Sequence, residues 1–263
     1  MSNSSQTINI EGSWDFSDDI AYAEKVEAGI NETVVRQISA SNKEPEWMLE
    51  LRLKALELFQ KREMPKWWPN LDKLDLDKIY YFAKPQGAGN NKTWEEVPDN
   101  IKATFDKLGI PEAEKKALAW VGAQYDSETV YHSLKQELTD QWVIFDDMSQ
   151  ALQNPEYSEL IKKHFSRSIP LNDHKFSALH YAVWSWGTFL YIPKGVKIKE
   201  PLQSYFRMNV KAGGQFEHTM IIVEDDAEAH YIEWCSAPKY DESSLHAGWV
   251  EIFVGKNARM RYS

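Results

Sequence analysis

The 263-residue sequence contains a single cysteine, Cys235, and no apolar run that approaches the length of a membrane-spanning helix. One cysteine excludes an internal disulfide framework and any zinc site built from a cysteine cluster. The N-terminal residues also lack the basic and then apolar pattern of a secretory signal. We therefore expect a cytoplasmic protein, where a lone thiol stays reduced, with no membrane partner.

Positive charge is scarce as well. The 30 Lys and Arg residues face 40 Asp and Glu residues, and the formal net charge of −10 argues against nucleic acid as a partner. Neither G-x-x-x-x-G-K nor G-x-G-x-x-G occurs, so no nucleotide binding is expected by those two routes. What the chain does have is apolar material, with 43% hydrophobic and 13% aromatic residues, enough for a packed core.

The first two thirds of the chain carry mainly helical patterns. Residues 1–40 are polar and acidic, which predicts a loosely attached arm, and residues 41–186 predict a mainly helical region. Its clearest helix has Pro45 in the first turn and ends before Pro65. We predict the other local elements as follows: helices at 98–108, 127–138, 154–164 and 175–186, a short buried strand at 142–145, and a loop around 86–91.

A repeat appears where the pattern changes to short β-prone runs after Gly187. Residues 191–196, 222–227 and 253–258 share one pattern at a spacing of 31 residues. Each copy places Gly, Asp or Asn at a corner, and these residues tolerate left-handed backbone. A fixed period in this range is typical of stacked coils. The predicted fold class is α+β, a helical region followed by a β-solenoid at 187–263 that is incomplete at its C-terminus, with an open edge that needs a partner.

Cys235 is the first candidate for chemistry. It follows the strand-like run 229–234 and precedes the turn Ser236-Ala237-Pro238. A reachable thiolate there would be a sulfur nucleophile or a soft metal ligand. The alternative is a buried structural cysteine, which is the commoner fate of this residue. One thiol cannot hold an iron–sulfur cluster unaided.

Other polar residues allow more than one interpretation. Arg207 and Asn209 lie two apart on a predicted strand, where they could line a polar channel, anchor an anion or form a solvent-facing row. His218, His230 and His246 could form a three-histidine metal site, but no close spacing supports one, and we favour isolated histidines. Glutamates 217, 233 and 251 could act as acid and base, but nothing sets their separation, so a glycosidase is not favoured.

Seven stretches between about residue 40 and residue 263 carry a resemblance to a known family. They are EPEWMLELRLKALELF from Glu44, IYYFAKP from Ile79, AQYDSETVYHSLKQEL from Ala123, FLYIPKGV from Phe189, PLQSYFRMNV from Pro201, GQFEHTMIIVEDDAEAHYIEWCSAP from Gly214 and SLHAGWVEIFVGKNARMRYS from Ser244. Together they resemble SufB, the scaffold component of the SUF system of iron–sulfur cluster assembly.

This resemblance implies a helical N-terminal region that leads into a right-handed parallel β-helix. It also implies a scaffold rather than an enzyme, with ATP hydrolysis supplied by a SufC-type ATPase. The other implied partners are a SufD-type paralogue and a SufE- or SufU-type sulfur carrier with its cysteine desulfurase. The implied cofactor is a transient iron–sulfur cluster assembled in the complex, and reduced flavin is a further candidate.

The resemblance also assigns residues. The family accepts persulfide sulfur on the cysteine of its C-S-A-P turn, which is Cys235 here, and Cys235 is a candidate cluster ligand. The family's Y-F-R-x-N strand lies on the proposed sulfur path, which carries over to Arg207 and Asn209. Thiol exchange requires a lowered thiol pKa, and we expect Arg207 to lower it if the guanidinium lies within about 6 Å.

Three departures from the family's pattern matter. Trp234 replaces a glycine, which narrows access to the thiol, and His218 replaces an arginine, which weakens the local positive field. The family also continues past Arg261-Tyr262-Ser263 into further coils and a helical domain. Two hypotheses follow: a truncated or split SufB-type scaffold that accepts sulfur on Cys235, or a degenerate SufB/SufD paralogue that is only a structural partner.

Overall fold

The computed structural model describes residues 16–67, 70–71, 73–87, 96–107, 120–134, 136–240 and 244–263. Its α-helices are α1 (Glu32–Ser41), α2 (Glu46–Lys61), α3 (Asp99–Lys107), α4 (Gln136–Thr139), α5 (Met148–Gln153), α6 (Pro155–His164) and α7 (Lys175–Val183). A short 3-10 helix spans Leu76–Lys78. No helix in these ranges is both long enough and apolar enough to cross a bilayer.

The N-terminal prediction is wrong where helix α1 lies. The side chain of Asn31 caps this helix by accepting a hydrogen bond of 2.9 Å from the backbone N–H of Val34. Val34, Val35 and Ile38 are fully buried in the main hydrophobic core. The apolar face of helix α1 therefore packs on the core, so residues 32–41 are not part of a loosely attached arm. Residues 1–15 of the predicted arm lie outside the described residues.

Most of the predicted helices are confirmed, with adjusted ends. Helix α2 starts directly after Pro45, and α6 begins with Pro155 behind the cap Asn154. Helix α3 agrees with the predicted helix at 98–108, although Gly109, its expected end, lies outside the described residues. Helix α7 is shorter than expected, since the chain leaves it at Trp184 and enters a strand through Gly187, whose φ is 127°.

The helix predicted at 127–138 is wrong over residues 128–134, and only its last three residues fall in a helix, α4. The chain forms β3 (Trp120–Tyr125) and β4 (Glu128–Leu134), an antiparallel pair that turns at Asp126 with φ of 50°. The β-branched and aromatic run Thr129-Val130-Tyr131 suits a strand. Strand β3 then pairs in parallel with a strand some 80 residues later, and this long-range pairing outweighs local helix propensity.

Two larger sheets contain most of the strands. The remaining strands are β1 (Tyr22–Lys25), β2 (Ala83–Pro85), β5 (Ile144–Asp147), β6 (Thr188–Ile192), β7 (Leu202–Arg207), β8 (Gly214–Gln215), β9 (His218–Val223), β10 (Glu228–Ser236), β11 (Leu245–His246), β12 (Trp249–Val254) and β13 (Arg259–Tyr262). One sheet has the order β13-β10-β7-β3-β4 and the other β12-β9-β6-β5, while β1-β2 and β8-β11 form short pairs. Strand β5 overlaps the short buried strand expected at 142–145 at its last two residues, whereas Trp142 lies outside it and is 80% exposed.

The 31-residue repeat corresponds directly to strand pairing. Tyr191 lies opposite Ile222, which lies opposite Phe253, all in parallel register. The corner residues of the three copies have positive φ, as the Gly, Asp and Asn pattern predicts: Gly195 at 76°, Asp226 at 62° and Asn257 at 55°. Successive copies therefore stack on one another, and the fold is a mixed α/β arrangement of helices and parallel-strand sheets.

The core has two main parts. The larger packs α1, α2, α5, α6 and α7 against one side of the β12-β9-β6-β5 sheet. The second lies between the two large sheets and includes Leu190, Ile221 and Tyr231. The hydroxyl groups of Thr188, Ser204 and Tyr231 also meet between these two sheets.

Candidate functional site

At the start of β9, side chains that alternate along the chain point to two different polar environments, one beside β10 and one in the helical core. Thr219 donates from its hydroxyl to a carboxylate oxygen of Glu233 at 3.1 Å, and the thiol of Cys235 donates to Oε1 of Glu217 at 3.6 Å. His218, between these two residues, stacks on the ring of Phe165 in the helical core. Since successive strand residues point to opposite faces, Glu217 and Thr219 meet β10 while His218 meets the helices.

Cys235 lies near the end of β10, opposite Phe206 of β7. The residue is exposed, and the neighbouring Trp234 is 55% exposed. Its sulfur nevertheless faces Glu217, whose side chain is only 1% exposed. The alternative of a buried structural cysteine is therefore wrong, and the thiol combines access from solvent with a poorly solvated inner side.

The electrostatic surroundings of Cys235 differ from expectation. Burial of the thiol on its inner side raises its pKa well above the usual range, and the carboxylates of Glu217 and Glu233 raise it further. We expected a lowered thiol pKa with help from Arg207, but the pKa is raised, because burial and the two carboxylates dominate. A thiolate at this position therefore needs a positive charge nearby to offset the two carboxylates.

Glu217 links Cys235 to His246. Nε2 of His246 contacts Oε1 of Glu217, and Gly248 makes room for this carboxylate, since a Cβ at Gly248 would lie 2.7 Å from Oε1. Burial pushes the pKa of His246 down, but the hydrogen bond and the charge of Glu217 outweigh it, so the pKa is raised. The imidazole is therefore held towards its charged form beside an anionic partner.

The three donor atoms of Glu217, Cys235 and His246 lie within 4.8 Å of one another. Within the described residues, no other group of three His, Cys, Asp or Glu side chains brings its donor atoms this close together. The second carboxylate oxygen of Glu217, Oε2, is buried and has no hydrogen-bond partner among the described residues. A buried carboxylate oxygen without a partner is unusual and calls for an explanation.

A row of hydroxyl groups extends from the site between the sheets. Glu233 accepts hydrogen bonds from Tyr231 at 2.9 Å and from Tyr262 at 3.2 Å, besides the bond from Thr219. The Tyr231 hydroxyl contacts that of Thr188 at 2.9 Å, and Thr188 contacts Ser204 at 3.1 Å. The interior is therefore polar from the thiol end towards a small cavity that Thr188 and Ser204 help to line.

Glu233 makes the stability of the protein depend on pH. Burial, followed by repulsion from Glu217, raises its pKa from 4.5 to about 7. A raised carboxyl pKa means that the folded state holds its proton more tightly, so stability falls as pH rises from about 4.5 to 7. Glu233→Gln removes this loss, and its free energy of unfolding relative to wild type should increase by up to about 3 kcal/mol between acidic and mildly alkaline pH.

Urea unfolding at a series of pH values measures this difference. The amide oxygen and the rotatable tyrosine and threonine hydroxyls preserve most of the hydrogen bonding. Glu228→Gln, an exposed change at the start of the same strand, is the control and should show no comparable trend. If the difference in unfolding free energy between Glu233→Gln and wild type does not change with pH, Glu233 does not have a raised pKa in the folded protein.

Arg207 and Asn209 are both buried, so the solvent-facing interpretation is wrong. The Arg207 guanidinium lies 4.5 Å over the ring of Phe16, donates to the Phe16 carbonyl, and donates to the Ser236 hydroxyl at 3.4 Å. The Asn209 amide donates to the Asp18 carbonyl at 3.0 Å, and its oxygen accepts from the Asp18 N–H at 2.8 Å. Residues 16–18 therefore cover both side chains.

Asp126 is a partner of this group that sequence reasoning missed. Its carboxylate accepts from the backbone N–H groups of Asn209 at 2.6 Å and Val210 at 3.0 Å and from the Tyr22 hydroxyl at 2.9 Å. Burial raises its pKa to about 6, although these hydrogen bonds and Arg207 oppose the rise. The residue type of Asp126 was the available sequence signal, since Asp favours turns and tolerates the positive φ it has here, but the helix predicted to start at the next residue concealed it.

The three β-region histidines do not meet. His218 is hydrogen-bonded to Glu251 at 3.2 Å and to His180 at 3.0 Å in the helical core, and His230 contacts Ser263 at 3.2 Å. Only His246 reaches the thiol site. Sequence reasoning proposed neither Glu217 nor His246 as partners of Cys235, because the contact depends on the register between strands.

Comparison with known families places the whole span of residues 35–263, apart from Tyr205, within two matches. A family model described as the SufBD protein N-terminal region matches residues 35–204. A second, described as the SufBD core domain of SUF system iron–sulfur cluster assembly, matches residues 206–263. The chain therefore belongs to the SufBD family.

Curated relatives carry the same family description. Iron–sulfur cluster assembly SufBD family proteins of Staphylococcus aureus strains MRSA252 and USA300 are each 51% identical over 248 residues. One from Staphylococcus saprophyticus is 50% identical over 248 residues. These matches cover 94% of this chain and 53% of each relative, so the chain spans about half the length of the curated relatives it matches.

Proposed function

We propose that the protein is a SufB-type scaffold subunit for iron–sulfur cluster assembly, which accepts persulfide sulfur on Cys235. The observation that carries the proposal is an exposed thiol, the one cysteine of the sequence, that donates to a buried carboxylate in the core domain of a SufBD family chain. Within this proposal the protein is cytoplasmic and is not itself an enzyme.

The sulfur transfer follows from the contacts of Cys235. Glu217, with its Oε1 3.6 Å from the sulfur, takes the thiol proton and becomes neutral, so the positive charge of a protonated His246 is left to balance the Cys235 thiolate. The Cys235 thiolate then attacks the outer sulfur of a carrier persulfide. A new S–S bond forms, the S–S bond of the carrier breaks, and the carrier leaves as a thiolate with the electron pair, so no net oxidation occurs.

The raised pKa of the thiol limits this step in the isolated chain. A carrier or an ion that brings positive charge to the site would stabilise the thiolate. We therefore propose that sulfur loading takes place in a complex, with a SufE- or SufU-type carrier and its desulfurase, a SufC-type ATPase and a SufD-type paralogue. The transient iron–sulfur cluster is the cargo of that complex.

Arg207 and Asn209 retain their proposed place on the sulfur path, next to the Cys235 strand. The Arg207 contact with Ser236, the residue after Cys235, supports it. We also propose that the stacked 31-residue copies are coils of a right-handed parallel β-helix, with its core at residues 187–263. The shared parallel register and the three left-handed corners support this fold.

Anaerobic incubation with a desulfurase, carrier and free cysteine, followed by mass spectrometry of the intact chain, tests the function. Wild type should gain the mass of one sulfur atom, which a thiol reductant removes, and Cys235→Ser should gain none. The matched control is Cys235→Ser/Ser236→Cys, which keeps one thiol but turns it to the other face of the strand, and it should load poorly.

Two outcomes would contradict the proposal. Equal loading of the displaced thiol would show that uptake is nonspecific. No gain on wild type with active partners would instead favour the second hypothesis, a structural paralogue that binds SUF partners without sulfur chemistry.

A further inference from the structure

We propose that Glu217, Cys235 and His246 form a binding site for a single divalent transition-metal ion of the Fe²⁺, Co²⁺ and Zn²⁺ class. A carboxylate, a thiol and an imidazole converge from three separate segments of the chain, with donor atoms within 4.8 Å of one another. This site adds to the proposed function and does not depend on sulfur loading.

The strongest observation is the unpartnered oxygen of Glu217. The side chain is 1% exposed, and its Oε2 has no hydrogen-bond partner among the described residues. A charged oxygen out of water without a partner is costly, and a bound cation removes that cost. Nothing else in the described part of the chain supplies such a cation to Oε2.

The chemical type of the three donor atoms indicates which class of metal ion the site prefers. A mixed sulfur, nitrogen and oxygen set suits Zn²⁺, Fe²⁺ or Co²⁺, whereas Mg²⁺ and Ca²⁺ prefer oxygen ligands alone. Ligands at about 2.0 to 2.3 Å from a tetrahedral ion are about 3.5 Å apart, so small side-chain rotations would bring the three donor atoms to that spacing. Three protein ligands leave a fourth position open for water or a sulfur species, as in catalytic metal sites.

The exposure and the charge of the site favour the binding of a metal ion from solvent. Cys235 and His246 are both exposed, so an ion reaches the site directly, while Glu217 lies behind them. Glu233 adds a second carboxylate that acts on the same thiol. On binding, the sulfur–metal bond and the bond from Nε2 of His246 to the metal form, the thiol proton and the His246 proton leave to the buffer, and no electron is transferred.

Co²⁺ is the probe for this site, because thiolate ligation produces a charge-transfer absorption that carboxylate ligation lacks. Anaerobic titration of the full chain should give this band with one equivalent of Co²⁺, and excess Zn²⁺ should displace it. Cys235→Ser should remove the band. Glu217→Gln and His246→Asn should each weaken Co²⁺ binding at least about tenfold.

The control is His230→Asn, a change at a histidine of the same strand as Cys235 that contacts Ser263 instead. It should bind Co²⁺ as wild type does, and circular dichroism of every variant shows whether it is folded. Absence of the band in folded wild type, or wild-type affinity in both Glu217→Gln and His246→Asn, would overturn the site.

The metal and sulfur proposals fail separately. The titration contains no carrier or desulfurase, and the persulfide assay is run with a chelator present. A protein that loads sulfur but shows no cobalt–thiolate band refutes only the metal site. A protein that shows the band but takes up no sulfur refutes only the persulfide role.

Discussion

Arg52→Met is expected to destabilise the protein by about 3 to 5 kcal/mol, because it leaves the buried carboxylate of Glu44 without its counter-charge. Both side chains are 0% exposed, and the guanidinium donates to Glu44 at 2.7 and 2.5 Å. It also donates to the carbonyls of Ala182 at 3.1 Å and Trp184 at 2.7 Å, where α7 ends. One side chain thus joins α2 to the C-terminal end of α7.

Urea unfolding of the variant measures this loss. Arg36→Met makes the same chemical change in an exposed pair with Glu32, with side chains 52% and 64% exposed, and should cost less than about 1 kcal/mol. The double variant Glu44→Gln/Arg52→Met removes the stranded charge and should recover part of the stability. Equal losses for Arg52→Met and Arg36→Met would show that the buried pair has no special role.

Gly187→Ala is the second change with a large expected effect, about 3 kcal/mol or more. Gly187 has φ of 127°, and a Cβ there would lie 2.2 Å from the carbonyl oxygen of His218 and 2.7 Å from its backbone nitrogen. These atoms belong to the backbone of β9 and cannot rotate away. The methyl group would push apart the parallel pair β6-β9, which positions Glu217 and Thr219.

Gly195→Ala is the matched control, since Gly195 also has a positive φ, 76°, but a Cβ there meets nothing within 4 Å. Only the backbone conformation is then penalised, and the expected cost is about 1 to 2 kcal/mol. The midpoint and slope of urea unfolding separate the two variants. If both lose the same stability, the close approach of Gly187 to His218 does not matter energetically.

Local patterns predicted a large part of the fold. Proline positions and apolar spacing placed α2 and α6, and the 31-residue period placed the stacked copies with their corners at Gly195, Asp226 and Asn257. Local preference failed where pairing across the fold decides the outcome. Residues 127–138 have a helical pattern on their own, but residues 128–134 form a hairpin strand, whose neighbour β3 pairs with β7.

The candidate site likewise has features that the sequence predicted and features that depend on the tertiary structure. The sequence by itself determined that the one available thiol is that of Cys235, and it predicted that this residue lies at the end of a strand, where β10 ends. Only the tertiary structure decided that Glu217 and His246 meet this thiol and that residues 16–18 cover Arg207 and Asn209. The physical reason is range: propensity and periodicity act over a few residues, whereas these contacts depend on how strands tens of residues apart align.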